Sequence, residues 1–328
     1  MLSRLQAYAE LLRLSNVLTA VADVWMGMVL ATGVLRPSAT ACLLTAGSVL
    51  MYLGGMVLND ALDADRDAVE RPNRPVPSGR ISVSTASILA WGLLTSGVAA
   101  AYLGGALSGT RLAGGVAMAL AGCVVAYDHL LKATPLGPFA MGACRALNGL
   151  LGMSIGLNSL GGVGPTADGL ATDGGATIDA SLSPLLQPAD AMTTAAGVLV
   201  YIAGVTLFAR DEAQTGDRGK LWSAALLAMA GLATLAAGPW LTDLSLVVST
   251  QAWLLMWGVI TLLIARKFAV AILQPSPRRV QRAVGNALQA IILIDAALAW
   301  GYAGPFWGLA IFALLPPTML LARFVPQT

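Results

Sequence analysis

The sequence predicts an all-α polytopic membrane protein, a bundle of nine or ten transmembrane helices. Three observations carry this. The 328 residues are 57% apolar and 11% charged, with a mean hydropathy of +0.74, whereas a soluble domain carries about 25% charged residues. Apolar runs long enough to cross a hydrocarbon layer of about 30 Å recur along the whole chain. Loops placed alternately on two sides sort the basic residues onto one of them.

In order, the apolar runs are 14–35, 39–58, 82–105, 111–126, 136–158, 192–209, 220–238, 244–265, 284–303 and 306–322. The run at 111–126 is short and the last contains Pro316-Pro317, so nine spans stand beside ten. Met1–Leu14 holds Arg4, Glu10 and Arg13 and no small-residue cleavage site, so no cleavable signal is expected. Of the 19 Lys and Arg residues, only Arg36 and Arg111 fall on one side, and Arg145 falls inside a span. The rest gather on the other side, which the positive-inside rule makes cytoplasmic. The expected setting is a bacterial-type inner membrane. The lipid bilayer is then a partner, and no nucleic-acid partner is expected.

The chain reads as one domain, 1–328, interrupted by residues 159–191. That stretch is rich in Gly, Ala, Ser and Pro, contains Asp168, Asp173, Asp179 and Asp190, and lacks Lys and Arg. It is expected to be a flexible extracytoplasmic insertion. Cys42, Cys123 and Cys144 show neither metal spacing nor a disulfide pattern and are expected to be buried. His129 is the only histidine, which argues against a histidine zinc site or a serine–histidine hydrolase.

Acids concentrate at residues 59–67, Asn-Asp-Ala-Leu-Asp-Ala-Asp-Arg-Asp. On a helix, Asn59, Asp63 and Asp67 stack at i, i+4 and i+8. Asp60, three before Asp63 and seven before Asp67, joins that face, and Asp65 points elsewhere. Stacked like charges repel, so a cation is expected to offset them. Hard oxygen ligands suit Mg2+, which binds through one or two carboxylates plus substrate phosphates. Arg71, Arg74 and Arg80 follow on a proline-stiffened loop, and guanidinium groups pair with phosphate oxygens in fork geometry. This is the layout for a diphosphate bridged by Mg2+. The bland alternatives are a solvated acidic loop and arginines placed by topology alone.

The pattern Asn59-Asp60-x-x-Asp63-x-x-x-Asp67, followed by Arg71-Pro72-Asn73-Arg74-Pro75 and Ser78-Gly79-Arg80, closely resembles the first aspartate motif of the UbiA superfamily. These are intramembrane aromatic prenyltransferases, and the chain looks most like the UbiA-like branch. Arg13-Leu14-Ser15-Asn16, Tyr127 with Lys132, and Arg145-Ala146-Leu147-Asn148 also look like that family. The resemblance implies a bundle around a central chamber open to the cytoplasmic side. It implies Mg2+ held by Asn59, Asp60, Asp63 and Asp67 against the diphosphate of an isoprenyl donor. The allylic C–O bond ionises, and an electron-rich, lipid-soluble acceptor, aromatic or other, traps the carbocation. Substrate contacts are expected from Asn16, Arg71, Arg74, Tyr127, Arg145 and Asn148, and Lys132 is expected on the diphosphate.

A second acidic run, Asp211-Glu212-Ala213-Gln214-Thr215-Gly216-Asp217, departs from the family's usual pair of aspartates four apart. A weak internal echo, Tyr52–Leu58 against Tyr201–Leu207, sets Glu212 in the place of Asp63. Asp211, Glu212 and Asp217 are therefore expected to make a second Mg2+ site, with Asp211 and Asp217 catalytic beside Asn59, Asp63, Asp67 and Lys132. A decayed, solvated loop is the bland reading.

Ionisable residues inside a membrane are costly and usually functional. Arg145 and Asn148 share a face one turn apart, and Asn16 and Asp23, seven apart, share a face of the first span. A substrate chamber is the preferred reading for Arg145 and Asn148, with an Arg145–Asp23 pair as the structural alternative. Asp295 lies mid-span, away from any motif. Arg278-Arg279-Val280-Gln281-Arg282 reads as a segment attracted to anionic lipid.

Two other functions fit less well. A helical-bundle transporter would keep its ionisable groups near the midplane, whereas most acids here sit at one surface. A CDP-alcohol phosphotransferase needs an Asp-Gly and Ala-Arg pattern that Asp63-Ala64-Asp65-Arg66 does not supply. A UbiA-like protein that binds a prenyl lipid without turnover also fits the altered second run.

Overall fold

Serines start three of the long helices. The Oγ atoms of Ser38, Ser82 and Ser249 accept a hydrogen bond from the N–H three residues on, at 3.1, 3.1 and 3.2 Å. Each satisfies a donor that a helix start leaves open. The structure, a computed structural model, describes residues 2–13, 16–35, 38–157, 186–210, 218–242 and 244–324.

The helices are α1 (Leu2–Leu11), α2 (Val17–Thr32), α3 (Ala39–Leu62), α4 (Ala64–Glu70), α5 (Val83–Leu107) and α6 (Leu112–Ala126), which runs on through a π-helical turn, Tyr127–Leu131. There follow α7 (Gly137–Met153), α8 (Pro188–Arg210), α9 (Arg218–Ala236), α10 (Gly238–Leu241), α11 (Thr250–Leu273), α12 (Pro277–Ala303), α13 (Pro305–Phe312) and α14 (Leu315–Phe324). No strand occurs among the described residues.

Each expected apolar run overlaps a helix. Seven helices are long and apolar enough to cross a membrane, and Val17–Thr32 and Pro305–Leu321 are shorter apolar helices. The last run is broken between α13 and α14, beside the Pro316-Pro317 pair. Sequence neighbours pack side by side from α2 through α3, α5, α6, α7, α8, α9 and α11 to α12, and α12 returns to α2. The bundle is thus closed, and α7 also packs against α2 across it.

Two apolar cores meet on α2 and α7. Ala22 and Met26 of α2 join the core built on α8, α9, α11 and α12. Val24 and Met28, on the other side of α2, join the core built on α3, α5 and α6. The α2–α7 approach is backbone to backbone: a Cβ on Gly27 or Gly152 would overlap the backbone of the other helix. Small residues allow such packing where lipid supplies no hydrophobic drive.

Two expectations need correction here. Cys42 is exposed, although Cys144 is buried and Cys123 half-buried. The outer face of a membrane helix meets lipid, so an apolar side chain gains nothing by turning inward. The 159–191 insertion also ends sooner than expected. Asp190 is buried in the first turn of α8, where its Oδ2 accepts from the Gln187 N–H at 2.7 Å. Residues 158–185 lie outside the described residues.

Candidate active site

The acidic stripe forms as the spacing predicts. Asp63 is the joint between α3 and α4, and the hydrogen bonds run through it. The Asp63 N–H donates to the Asn59 carbonyl at 3.0 Å, and the Asp67 N–H to the Asp63 carbonyl at 2.8 Å. Asn59, Asp63 and Asp67 consequently share one face and line a cavity of about 830 Å³.

Asp60 is placed otherwise. One residue on from Asn59, it is turned about 100° round the helix and is absent from the cavity wall. It is buried behind the wall, where Arg13 donates to its Oδ1 at 2.6 Å and Arg74 lies 3.5 Å away. Arg13 holds a left-handed backbone, φ 45°, a conformation that costs a non-glycine residue about 1–2 kcal/mol. The ion pair to Asp60 offsets that.

Every acid of the stripe faces a cation. Arg74 donates to Asp67 at 2.6 Å, with both side chains almost wholly buried. Lys132 pairs with Asp63. The loop after α4 is wound tightly enough to aim Arg74 inward. The Ser78 N–H and Oγ both reach the Arg74 carbonyl, at 3.0 and 2.6 Å, and Gly79 supplies the left-handed turn, φ 73°. Arg80 is not at the mouth: it pairs with Glu10 at 2.8 Å and donates to the Asn73 carbonyl at 2.7 Å. Arg71 is exposed, lines the cavity and enters no ion pair among the described residues. Arg66, also on the rim, pairs with Glu70 at 3.0 Å, which stabilises its charged form.

Across the mouth, the π-helical turn carries Tyr127 and Asp128 to the cavity wall, and Lys132 follows it. The Asn59 amide donates to Asp128 at 2.8 Å. His129 is exposed. Arg210, at the end of α8, donates to the Lys132 and Thr134 carbonyls, the latter at 2.7 Å. It also lines the cavity. Arg210 is the last described residue before the second acidic run. Asp211, Glu212 and Asp217 themselves lie outside the described residues.

The cavity floor is a buried polar cluster. Arg145 Nη2 donates to Asp23 Oδ1 at 3.2 Å, and its Nε lies 3.2 Å from Oδ2 without aligning as a hydrogen bond. Asn148 donates to Asp23 at 3.0 Å and to the Ala20 carbonyl at 2.9 Å, and accepts from Ser48 at 2.7 Å. Both residues line the cavity, yet their polar atoms are engaged in joining α7 to α2 and α3. Asn148, read from sequence as a chamber residue first, lines the cavity and also joins helices. Asn16 stands at the start of α2 and is not on the cavity wall.

The model of the UbiA prenyltransferase family matches residues 20–284. The chain belongs to that family. A digeranylgeranylglyceryl phosphate synthase of Methanoculleus marisnigri is 33% identical over 130 residues, 40% of this chain and 44% of the relative. The match therefore spans less than half the length of that relative. A solved structure described as digeranylgeranylglyceryl phosphate synthase in membranes aligns with a TM-score of 0.62 at 18% identity, covering 92% of this chain and 99% of the other. A UbiA homologue of Archaeoglobus fulgidus bound to GPP and Mg2+ aligns with a TM-score of 0.57 at 16% identity, covering 94% and 99%. At these identities the structures share the fold. The protein is a multi-pass membrane protein of this family.

Within the family frame, the donor set can be tested for Mg2+. No closed cage of three or more acidic, histidine or cysteine side chains exists among the described residues. Mg2+ does not need one, because it keeps several waters and binds through one or two carboxylates plus substrate phosphates. Asn59, Asp63 and Asp67 supply hard oxygens on one wall, and the partly exposed Asp63–Lys132 pair can open toward a ligand. The residues present therefore fit the ion. Sequence reasoning passed over three groups at this site: Asp128, Arg210 and the role of Arg13. Asp128 had a signal, an acid next to Tyr127. The other two are defined by contacts between distant segments.

Proposed function

We propose that the protein is a Mg2+-dependent prenyltransferase that moves an isoprenyl group from a prenyl diphosphate to a lipid-soluble, electron-rich acceptor. The observation that carries this is the pairing of mouth and chamber. An acidic stripe edged by cations opens onto a cavity of about 830 Å³ whose inner walls are largely apolar. Asn59, Asp63 and Asp67 are the proposed ligands of Mg2+. Bound there, the ion would supply positive charge to the departing diphosphate. Arg71 and Lys132 are the proposed diphosphate contacts, Arg71 as the exposed guanidinium and Lys132 on release from Asp63. Asp60 backs the stripe, and Arg13 and Arg74, which line the cavity, brace it through their ion pairs. Met51, Met56, Leu120 and Val124 exclude water from an allylic cation, and Tyr127 and Tyr52 add aromatic wall. Asp211, Glu212 and Asp217 are proposed, on sequence, to hold a second ion across the mouth. The reactive side is proposed to face the cytoplasm, by the excess of Lys and Arg there.

The test is diphosphate release from labelled prenyl diphosphates of several chain lengths by purified protein. The expected result is release that requires Mg2+ and rises with a lipid acceptor. The relatives named for a prenylated glyceryl phosphate make a hydroxyl lipid the first acceptor to try. Donor binding without release at any chain length would replace this function with prenyl-lipid binding.

A further inference from the structure

Two rungs join α3 to the segment that follows α6. Asn59 and Asp63 stand four apart on one side, and Asp128 and Lys132 four apart on the other. Asn59 Nδ2 donates to Asp128 Oδ1 at 2.8 Å, and Lys132 pairs with Asp63. The π-helical turn Tyr127–Leu131, closed by the Lys132 N–H on the Tyr127 carbonyl at 2.9 Å, carries the second side of this ladder. Such turns recur at functional sites.

The first rung decides how Asn59 presents itself. A carboxylate oxygen only accepts, so the amide atom facing Asp128 is the nitrogen. The amide oxygen then points away from Asp128, and oxygen is the only atom through which asparagine binds a hard cation. Turned the other way, the amide would offer N–H hydrogens to the ion. We propose that Asp128 is a positioning residue: it locks the Asn59 amide with its oxygen toward the metal. This rests on the Mg2+ reading above. Partners that orient ligating side chains typically change metal affinity by about 10–100-fold.

The test uses the full chain in detergent and Mn2+ as a spectroscopic stand-in for Mg2+. Geranyl thiolodiphosphate, a donor analogue that does not ionise, is held at fixed concentration. Protein-bound Mn2+ is read by electron paramagnetic resonance, so no turnover is needed. D128A is expected to bind Mn2+ about 10-fold more weakly. D128N, whose amide oxygen can still accept from Asn59, is expected to stay close to wild type. D128L, which fills similar space and accepts nothing, is expected to match D128A and covers the case in which the alanine variant fails to fold. N59A with D128A is expected to bind no more weakly than N59A alone, because both act through one amide oxygen. Wild-type affinity in D128A or D128L, or additive losses in the double variant, overturns the inference alone. No saturable Mn2+ signal in the wild type overturns the metal reading and this inference together.

Discussion

The mouth and the floor of the chamber use the same residue types for opposite ends. At the mouth, Lys132 and Asp63 keep about a quarter of their side-chain surface exposed, 26% and 23%. At the floor, Arg145 and Asp23 keep 12% and 2%. An ion pair that keeps part of its surface in water is held less firmly than a buried one and exchanges partners more easily. A buried pair has given up its hydration, so removing one partner strands a charge. At the mouth the Asp63–Lys132 pair is therefore the one built to trade its cation for a ligand, whereas Arg74–Asp67 is buried as deeply as the floor. The floor is built to hold α2, α3, α7 and α12 in one arrangement. The floor is also unbalanced: Asp295 of α12, wholly buried, lies beside Asp23, while Arg145 forms its ion pair with Asp23.

The largest effect expected is at the mouth and on turnover. Asp63→Ala should lower prenyl transfer by roughly 10³-fold, since metal-supported charge stabilisation is worth several kcal/mol. Its unfolding free energy should move less than that of a floor variant, because Lys132, left at the mouth, keeps part of its hydration. Steady-state rates and denaturant titration in detergent check the two halves, and a large stability loss in Asp63→Ala would break the contrast. Arg145→Met should do the reverse in stability. It leaves Asp23 and Asp295 buried together without a cation, a loss of about 3–5 kcal/mol. An unchanged denaturation midpoint would show that the floor is wetter than its burial implies.

These two regions were unequally legible in the sequence. The stripe Asn59, Asp63, Asp67 follows from helix periodicity alone, and the apolar runs from hydropathy, because both are local rules. Arg74 is expected from sequence on the substrate, whereas it pairs with Asp67, and Arg13 could be counted as a positive charge but not placed. Whether a guanidinium serves phosphate or backs an aspartate depends on how a loop winds, and Gly79 with Ser78 winds this one inward. The π-helical turn has no signature in Tyr-Asp-His-Leu-Leu, so nothing in the sequence brings Asp128 to Asn59. Asp295 remained unplaced because its partner lies on α2, at the far end of the chain. The floor is a product of ring closure between α12 and α2, which no window of sequence contains.

Asp295 gives a smaller effect that sharpens the same comparison. Neither of its oxygens has a hydrogen-bond partner among the described residues. Two carboxylates in contact are both acceptors, with no donor between them unless one holds a proton. Asp295→Asn supplies that donor and removes one buried like charge. It should leave the protein as stable or raise its stability by about 1 kcal/mol, the net worth of one hydrogen bond. Asp23→Asn should be the more damaging of the two, because Asp23 carries the contacts to Arg145 and Asn148. Equal losses in both would mean that Asp295 also serves Arg145.

The smallest effect belongs to the rim. Arg66 and Glu70 are paired one helical turn apart on α4, with 65% and 49% of their side chains exposed. Such i, i+4 pairs contribute about 0.3–0.5 kcal/mol and are screened over about 8 Å at physiological salt. Arg66→Gln should therefore shift the unfolding free energy by no more than that, with the difference fading as salt is raised. Arg66 also lines the mouth, so the same variant asks whether a rim cation steers the donor. If it does, the apparent KM for the prenyl diphosphate should rise at low salt and converge with wild type at high salt, while kcat holds. A lowered kcat would move Arg66 from the rim into the group that meets the diphosphate, and the border between exchangeable mouth and solvated edge would have to be redrawn one turn further out along α4.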